Sequence, residues 1–237
     1  MTTLKIMPRE MRLMSERILS LTTLPKGFFL AVTDIVMLSQ KLGLGGFAML
    51  EEQFEALRAP DLSRIAVTEE NGKTLVLDAG GQHGWFVVPT LLDLLGELVA
   101  RFGDAQVTVV NALDPAELGI AAALGGRTGL SVTQATGDAQ VFSATAQPVT
   151  GDVAKDDPVL WDLLCNGTPV EADLWWRVYD RAKKALAADT VVSRRHAGPM
   201  IVNEDGTVIG RKDNDDETDI SFLAAPGAAA QGESVKQ

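Results

Sequence analysis

TLVLDAGGQHGWFVVPTLLDLLGELVARFGDAQVTVVNALDPAEL, residues 74–118, decides the fold. Leu75 and Leu77 alternate as a strand, and Ile65 and Val67 do the same on the other side of Glu70-Asn71-Gly72, whose Asn-Gly pair tolerates positive φ. The pattern is a β-hairpin. After the glycine-rich segment Asp78 to Gly84, the residues Leu91, Leu95, Leu98 and Phe102 share one helical face that Gly103 stops, and Gln106 to Val110 is a short β-branched strand. Asp114-Pro115-Ala116-Glu117 then supplies an N-cap, a proline at the first helical position and a glutamate three residues on, opening a helix that ends near Gly125-Gly126. Ser131 to Ala135 and Gln140 to Ala144 read as further strands. Two consecutive right-handed strand–helix–strand units give an α/β fold: a mixed, largely parallel sheet with flanking helices, the hairpin adding an antiparallel edge.

Working outward, Phe29, Val32, Val36 and Leu38 recur at helical spacing within Lys26 to Leu42, and Gly43, Gly45 and Gly46 make a corner before a second amphipathic stretch, Phe47 to Leu57. Residues 1 to 25 mix helical and strand signals. Towards the C-terminus, Asp157-Pro158 opens a short helix and Thr168-Pro169-Val170-Glu171 reads as the capping box of a second one running to about Ala187, with Leu174, Trp175, Val178, Ala182 and Leu186 as its buried stripe. Trp161, Trp175 and Trp176 read as packing residues rather than a base-stacking platform. A second hairpin is expected between Val202 and Val208 with Asp205-Gly206 as its turn. The expected organisation is an N-terminal helical segment (1–60), an α/β sheet region (61–148), a small helical and hairpin region (149–223) and a disordered small-residue tail (224–237).

The chain has 237 residues, with 21 basic against 32 acidic side chains and a net charge of −11. That balance repels phosphate backbones and anionic bilayers, so neither nucleic acid nor membrane is an expected partner. The apolar run Gly27 to Leu38 is interrupted by Asp34 and is shorter than a bilayer span, and no signal-peptide pattern precedes it. A cytoplasmic protein is expected. One cysteine and two histidines argue against a disulfide, a cysteine-built zinc site or an imidazole cluster, so no metal site is assigned.

In an open α/β sheet, ligands collect beyond the carboxyl ends of the parallel strands, where loops converge. Three loops fall there: Asp78 to Gly84, Asn111 to Asp114, and Thr133 to Asp138. His83 is the one imidazole among them and the candidate general acid or base, with Asp78 or Asp114 as its orienting carboxylate. Gly80, Gly81, Gln82, Gly84 and Asn111 are the accompanying ligand-binding candidates. The competing reading gives the glycines to a tight turn and His83 to an ordinary hydrogen bond. Arg194, Arg195 and His196 concentrate positive charge in an acidic chain and suit a carboxylate or phosphate, unless they pair with surface carboxylates. The cluster Asp213 to Asp219 fails as a calcium loop, since Thr218 and Ala224 stand where glycine and an acidic residue are required; a solvated loop or oxygen-rich Mg²⁺ binding remains. Cys165, after Leu163 and Leu164, reads as buried and inert. The chain holds no G-x-S-x-G, H-E-x-x-H or Walker loop.

From about Gln40 to Ala135 the order of elements resembles the malate/L-lactate dehydrogenase-type oxidoreductases, the NAD(P)-dependent family unrelated to the Rossmann enzymes. The segments that carry the likeness are Gly43-Leu44-Gly45-Gly46-Phe47-Ala48, Asp78 to Gly84, Asn111-Ala112-Leu113-Asp114 and Val132-Thr133-Gln134-Ala135. The resemblance implies NAD(P) as cofactor, bound between subunits, and hence a homodimer. It also departs from the family's pattern: the catalytic histidine falls at Asp114 and the Ser-His pair at Gly46-Phe47, so both imidazoles are missing from their places. The chain is also similar to alphaproteobacterial proteins that carry a Ser-Arg and a later Asp-Asn-Asp, here Ser193-Arg194 and Asp213-Asn214-Asp215. Three functions follow. The first is a protein on a diverged dehydrogenase-like scaffold that binds a small anionic metabolite between the glycine loop and Arg194 or Arg195. The second is an NAD(P)-dependent oxidoreductase or other small-acid enzyme with its chemistry relocated to His83, and the third a structural or interaction subunit.

Overall fold

A computed structural model describes residues 2–135, 140–186, 200–202, 204, 205 and 207–210. It divides into two units, Met1–Leu186 and Ala187–Gln237. The first unit runs β1 (Thr3–Ile6), α1 (Pro8–Leu19), α2 (Lys26–Lys41), α3 (Gly46–Glu52), α4 (Phe54–Leu57), β2 (Ala66–Asn71), β3 (Thr74–Asp78), α5 (Gly84–Phe102), β4 (Asp104–Val110), α6 (Ile120–Leu124), β5 (Leu130–Gln134), β6 (Gln140–Ala146), α7 (Val153–Asp156), α8 (Pro158–Asn166), β7 (Thr168–Glu171) and α9 (Ala172–Lys183). In the second unit β8 (Met200–Val202) and β9 (Val208–Gly210) form the expected hairpin, Val202 pairing with Val208. Arg194, Arg195, His196, the Asp213–Asp219 cluster and the tail lie outside the described residues.

The main sheet has the order β2-β3-β4-β6-β5 and is α/β and mixed, as read. Only the β3–β4 pairing is parallel, however; the other three are antiparallel, which corrects the expectation of a largely parallel sheet. The reason is chain length. Five residues separate Gln134 from Gln140, enough for a hairpin but far short of the dozen or so that a parallel crossover needs. Strand β6 therefore folds back and inserts between β4 and β5.

One face of the sheet supplies Leu75, Leu77, Val107, Val109, Val132 and Phe142 to the core, alternating along each strand. Helix α5 covers it with Phe86, Leu91, Leu95 and Leu98, while Phe102, read on the same stripe, is exposed in the last turn beside Gly103. Helix α2 buries Phe29, Val32, Val36 and Leu38 as its spacing predicts.

The first residues resolve into strand β1, which pairs with β7, Thr3 opposite Glu171. Residues Thr168 to Glu171 are thus a strand and not a capping box; α9 begins at Ala172 with no side-chain cap. Helix α9 buries Trp175, Val178 and Ala182, but Leu186, Trp161 and Trp176 are exposed, so only one of those three tryptophans packs as read. Cys165 is exposed as well, because the nine-residue α8 lies on the surface and buries Leu163 alone. No described helix is long and apolar enough to cross a membrane.

Two glycines with the same backbone separate conformational strain from crowding. Gly72 (φ 59°) has open space where a Cβ would go, whereas at Gly80 (φ 58°) a Cβ would lie 2.3 Å from the Arg64 carbonyl oxygen. Gly72→Ala should cost about 1–2 kcal/mol for its left-handed backbone. Gly80→Ala should cost about 2 kcal/mol more for overpacking. Urea denaturation of both variants checks this, and equal losses would remove the packing role of Gly80.

Candidate functional site

The parallel ladder of β3 and β4 does not stop at the strand ends. Ala79 N–H donates to the Val110 carbonyl (2.9 Å), Gly81 N–H to Asn111 (2.9 Å) and Gly84 N–H to Leu113 (2.8 Å), while Leu113 N–H donates to Gln82 (3.0 Å). Asn111 and Asp114 accommodate this by taking left-handed backbones, φ 55° and 50°. Gly80 N–H donates to Asp78 Oδ1 (2.8 Å), which also accepts from Asn111 Nδ2 (3.0 Å). These bonds, Gly80 first, hold the Asp78 carboxyl below its ordinary value. Gln82 is buried and its Oε1 accepts from Asp61 N–H at 3.0 Å. Gln140 pairs with Val109, so the β5–β6 connection leaves from the same rim, although residues 136–139 lie outside the described ones.

His83 lies inside this rim, 3% exposed. It precedes α5 and caps it: Nδ1 accepts from Trp85 N–H at 3.1 Å. Because that nitrogen must be the acceptor, the ring proton sits on Nε2, which faces Met49 Sδ at 3.0 Å and Asp114 Oδ2 at 3.5 Å. Burial is the largest influence on the ring and pushes its pKa down to about 4, against the opposing pull of Asp114 and Glu117. At neutral pH the imidazole is uncharged, and each nitrogen has a partner within the protein.

Behind it stands a group that sequence reasoning assigned to helix capping. Asp114 does not cap with its side chain, and Glu117 is buried, with Oε1 accepting from Gly45 N–H (2.7 Å) and Oε2 from Ser39 Oγ (2.6 Å) and Trp85 Nε1 (2.7 Å). Ser39 Oγ in turn accepts from Gly46 N–H at 2.7 Å. The carboxylate thus joins the α2–α3 corner to the start of α5. Gly84 fits because a Cβ there would come within 3.0 Å of the Asp114 carbonyl oxygen.

Asp78, Gly80, Gly81, Gln82, His83, Gly84, Asn111 and Asp114 are therefore neighbours. Sequence reasoning missed Met49, Ser39, Trp85 and Glu117, whose meeting depends on contacts across the fold. It also missed Arg64, an exposed residue whose charge acts on Asp78 and whose Nη2 lies beside Gly81. A groove of about 320 Å³ adjoins the rim, lined by Thr108, Val110, Asn111, Ala112, Pro115 and Gln140. The NAD(P) implied by the resemblance finds few donors for a pyrophosphate at the glycine loop, since the N–H groups of Gly80, Gly81, Gln82 and Gly84 already have protein acceptors.

No protein-family model matches the chain, and no curated protein matches it. Among solved structures, it is similar to the malate dehydrogenase of Entamoeba histolytica (14% identity, TM-score 0.45, 55% of this chain and 38% of that one). It is also similar to the malate dehydrogenase of Pyrococcus horikoshii OT3 (16%, 0.45, 54% and 38%) and to the sulfolactate dehydrogenase of Methanocaldococcus jannaschii (14%, 0.42, 54% and 38%). The match spans less than two fifths of those chains.

The buried imidazole has a consequence for stability. Its folded pKa, about 4, lies below the ordinary 6.5, so between those values the unfolded chain binds more protons and stability rises with pH. The contribution is fully present above about pH 6.5 and is lost on acidification towards pH 4, about 2 kcal/mol of it by pH 5. Comparing urea denaturation of the wild type and His83→Asn at pH 7.5 and 5 isolates this loss, which the variant should lack. An equal acid loss in both would contradict the burial of a neutral imidazole.

Proposed function

We propose that the protein binds a small anionic metabolite at the rim of the β3 and β4 strands and does not transform it by imidazole acid–base chemistry. The observation that carries this reading is the state of His83: buried, neutral, its Nδ1 used by the α5 backbone and its Nε2 proton directed at Met49. A general base needs a free lone pair within reach of substrate, and this ring offers none. What the rim offers instead is recognition. Thr108, Asn111 and Gln140 present hydrogen-bonding groups in the adjoining groove, with Val110, Ala112 and Pro115 as apolar wall. Arg64, beside Gly81 and within electrostatic reach of Asp78, supplies an exposed guanidinium for a carboxylate or phosphate.

The second reading, an oxidoreductase or other small-acid enzyme, is favoured by one observation, the 3.5 Å approach of Asp114 to His83 Nε2. A thermal-shift screen with hydroxy acids, keto acids, phosphorylated acids, NAD(H) and NADP(H) separates the two. A ligand at 100 times its Kd adds about 2.7 kcal/mol of stability. We expect stabilisation by a small acid, weakened at least tenfold in Kd by Arg64→Glu and unchanged by His83→Asn. Turnover with a dinucleotide that disappears in His83→Asn would overturn the binding reading in favour of the enzyme.

A further inference from the structure

The charges around the rim say more about the acid it takes. Asp78 stands opposite Val110 on the sheet face turned away from the core, and Val110 is a wall of the adjoining groove. Asp78 Oδ1 is occupied by the Gly80 N–H and by Asn111 Nδ2, and these bonds keep the carboxyl ionised. Asp78 Oδ2 has no partner among the described residues. Asp114, with 28% of its side chain exposed, brings a second carboxylate to the same group of loops.

Arg64 is the guanidinium that stands against them. Its carbonyl and Cβ lie against Gly80, whose N–H holds Asp78, and its Nη2 lies beside Gly81. One Gly-Gly dipeptide therefore fixes where both charges stand. They do not close on each other: the Arg64 charge reaches Asp78, yet among the described residues neither makes an ion pair. Asp61, the acidic residue nearest to Arg64 in sequence, accepts from the Ser63 N–H and hydroxyl instead. A ligand with negative charge alone would gain one guanidinium and face two carboxylates. A ligand with a positive group beside its carboxylate gains from both signs.

We infer that the rim takes an α-amino acid with an apolar side chain, its carboxylate on Arg64, its ammonium on Asp78 Oδ2 and its side chain along Val110, Ala112 and Pro115. The inference rests on the rim being the site of a small acid, and it names the class of that acid. Hydrogen bonds between ionised groups give the backbone end of the ligand its orientation. The apolar wall accepts the side chain, and a side chain that ends in a second carboxylate is repelled by Asp78 and Asp114.

Isothermal titration calorimetry of the full chain at neutral pH tests this with L-valine, L-leucine and L-phenylalanine, each beside the 2-hydroxy acid and the amine that share its side chain. At least one of these amino acids should bind at least tenfold tighter than both of its analogues. Asp78→Asn, whose amide oxygen still accepts from Gly80 and Asn111, should weaken that amino acid at least tenfold and leave its hydroxy acid unchanged or tighter. Arg64→Gln should weaken both at least tenfold. A hydroxy acid that binds as tightly as its amino acid, with Asp78→Asn without effect on either, would overturn the inference and leave the acid reading of the rim standing. Absence of binding by every amino acid of the panel would also overturn the inference alone. Binding that is insensitive to Arg64→Gln would overturn both.

Discussion

A single buried carboxylate organises this fold. Glu117 is removed from water, and an unpaired charge in such a place would cost several kcal/mol. It is tolerated because Ser39, Gly45 and Trp85 direct three donors at it, one from the end of α2, one from the corner before α3 and one from the first turn of α5. Those elements are held in register by the need to keep the charge solvated by protein. The glycine corner, the start of the long helix and the segment after β4 therefore form one rigid assembly.

That rigidity determines what the rim can do. Trp85 is fixed by Glu117, so its backbone N–H is fixed too, and His83 satisfies it as the cap of α5. The imidazole serves the helix start that elsewhere would hold an anion. The glycines around it have similar duties: Gly80 clears the Arg64 backbone and Gly84 clears Asp114. Among the described residues, the groups that reach solvent at the rim include Arg64, the partly exposed Asp114 and the polar side chains of the adjoining groove.

Much of this was legible in the chain, for identifiable reasons. The first hairpin declared itself because Asn71-Gly72 interrupts a two-residue alternation, and the β3–α5–β4 unit because the period changes from two to near four and back. The antiparallel β5–β6 pairing was equally legible from the short spacing between Gln134 and Gln140, and reading it as part of a parallel run ignored a limit of chain geometry. The adjacent Trp175 and Trp176 were also decidable, since neighbours on a helix point about 100° apart and one apolar stripe takes only one of them. Thr168 to Glu171 was different. The same four residues fit a capping box and an alternating strand, and the decision comes from β1, more than 160 residues away in sequence. The Glu117 cluster has no local signature at all, because its donors lie 78, 72 and 32 residues from it.

The properties of the rim follow from a His83 ring that is a neutral structural cap with its proton on Nε2. Nitrogen-15 and carbon-13 NMR titration of the imidazole in the full-length protein reads tautomer and pKa together. The Nε2–H tautomer is expected to persist at neutral pH, with protonation beginning only as the pH approaches 4. A ring that titrates near 6.5, or that carries its proton on Nδ1, would mean that Trp85 has another partner and that His83 is free for chemistry.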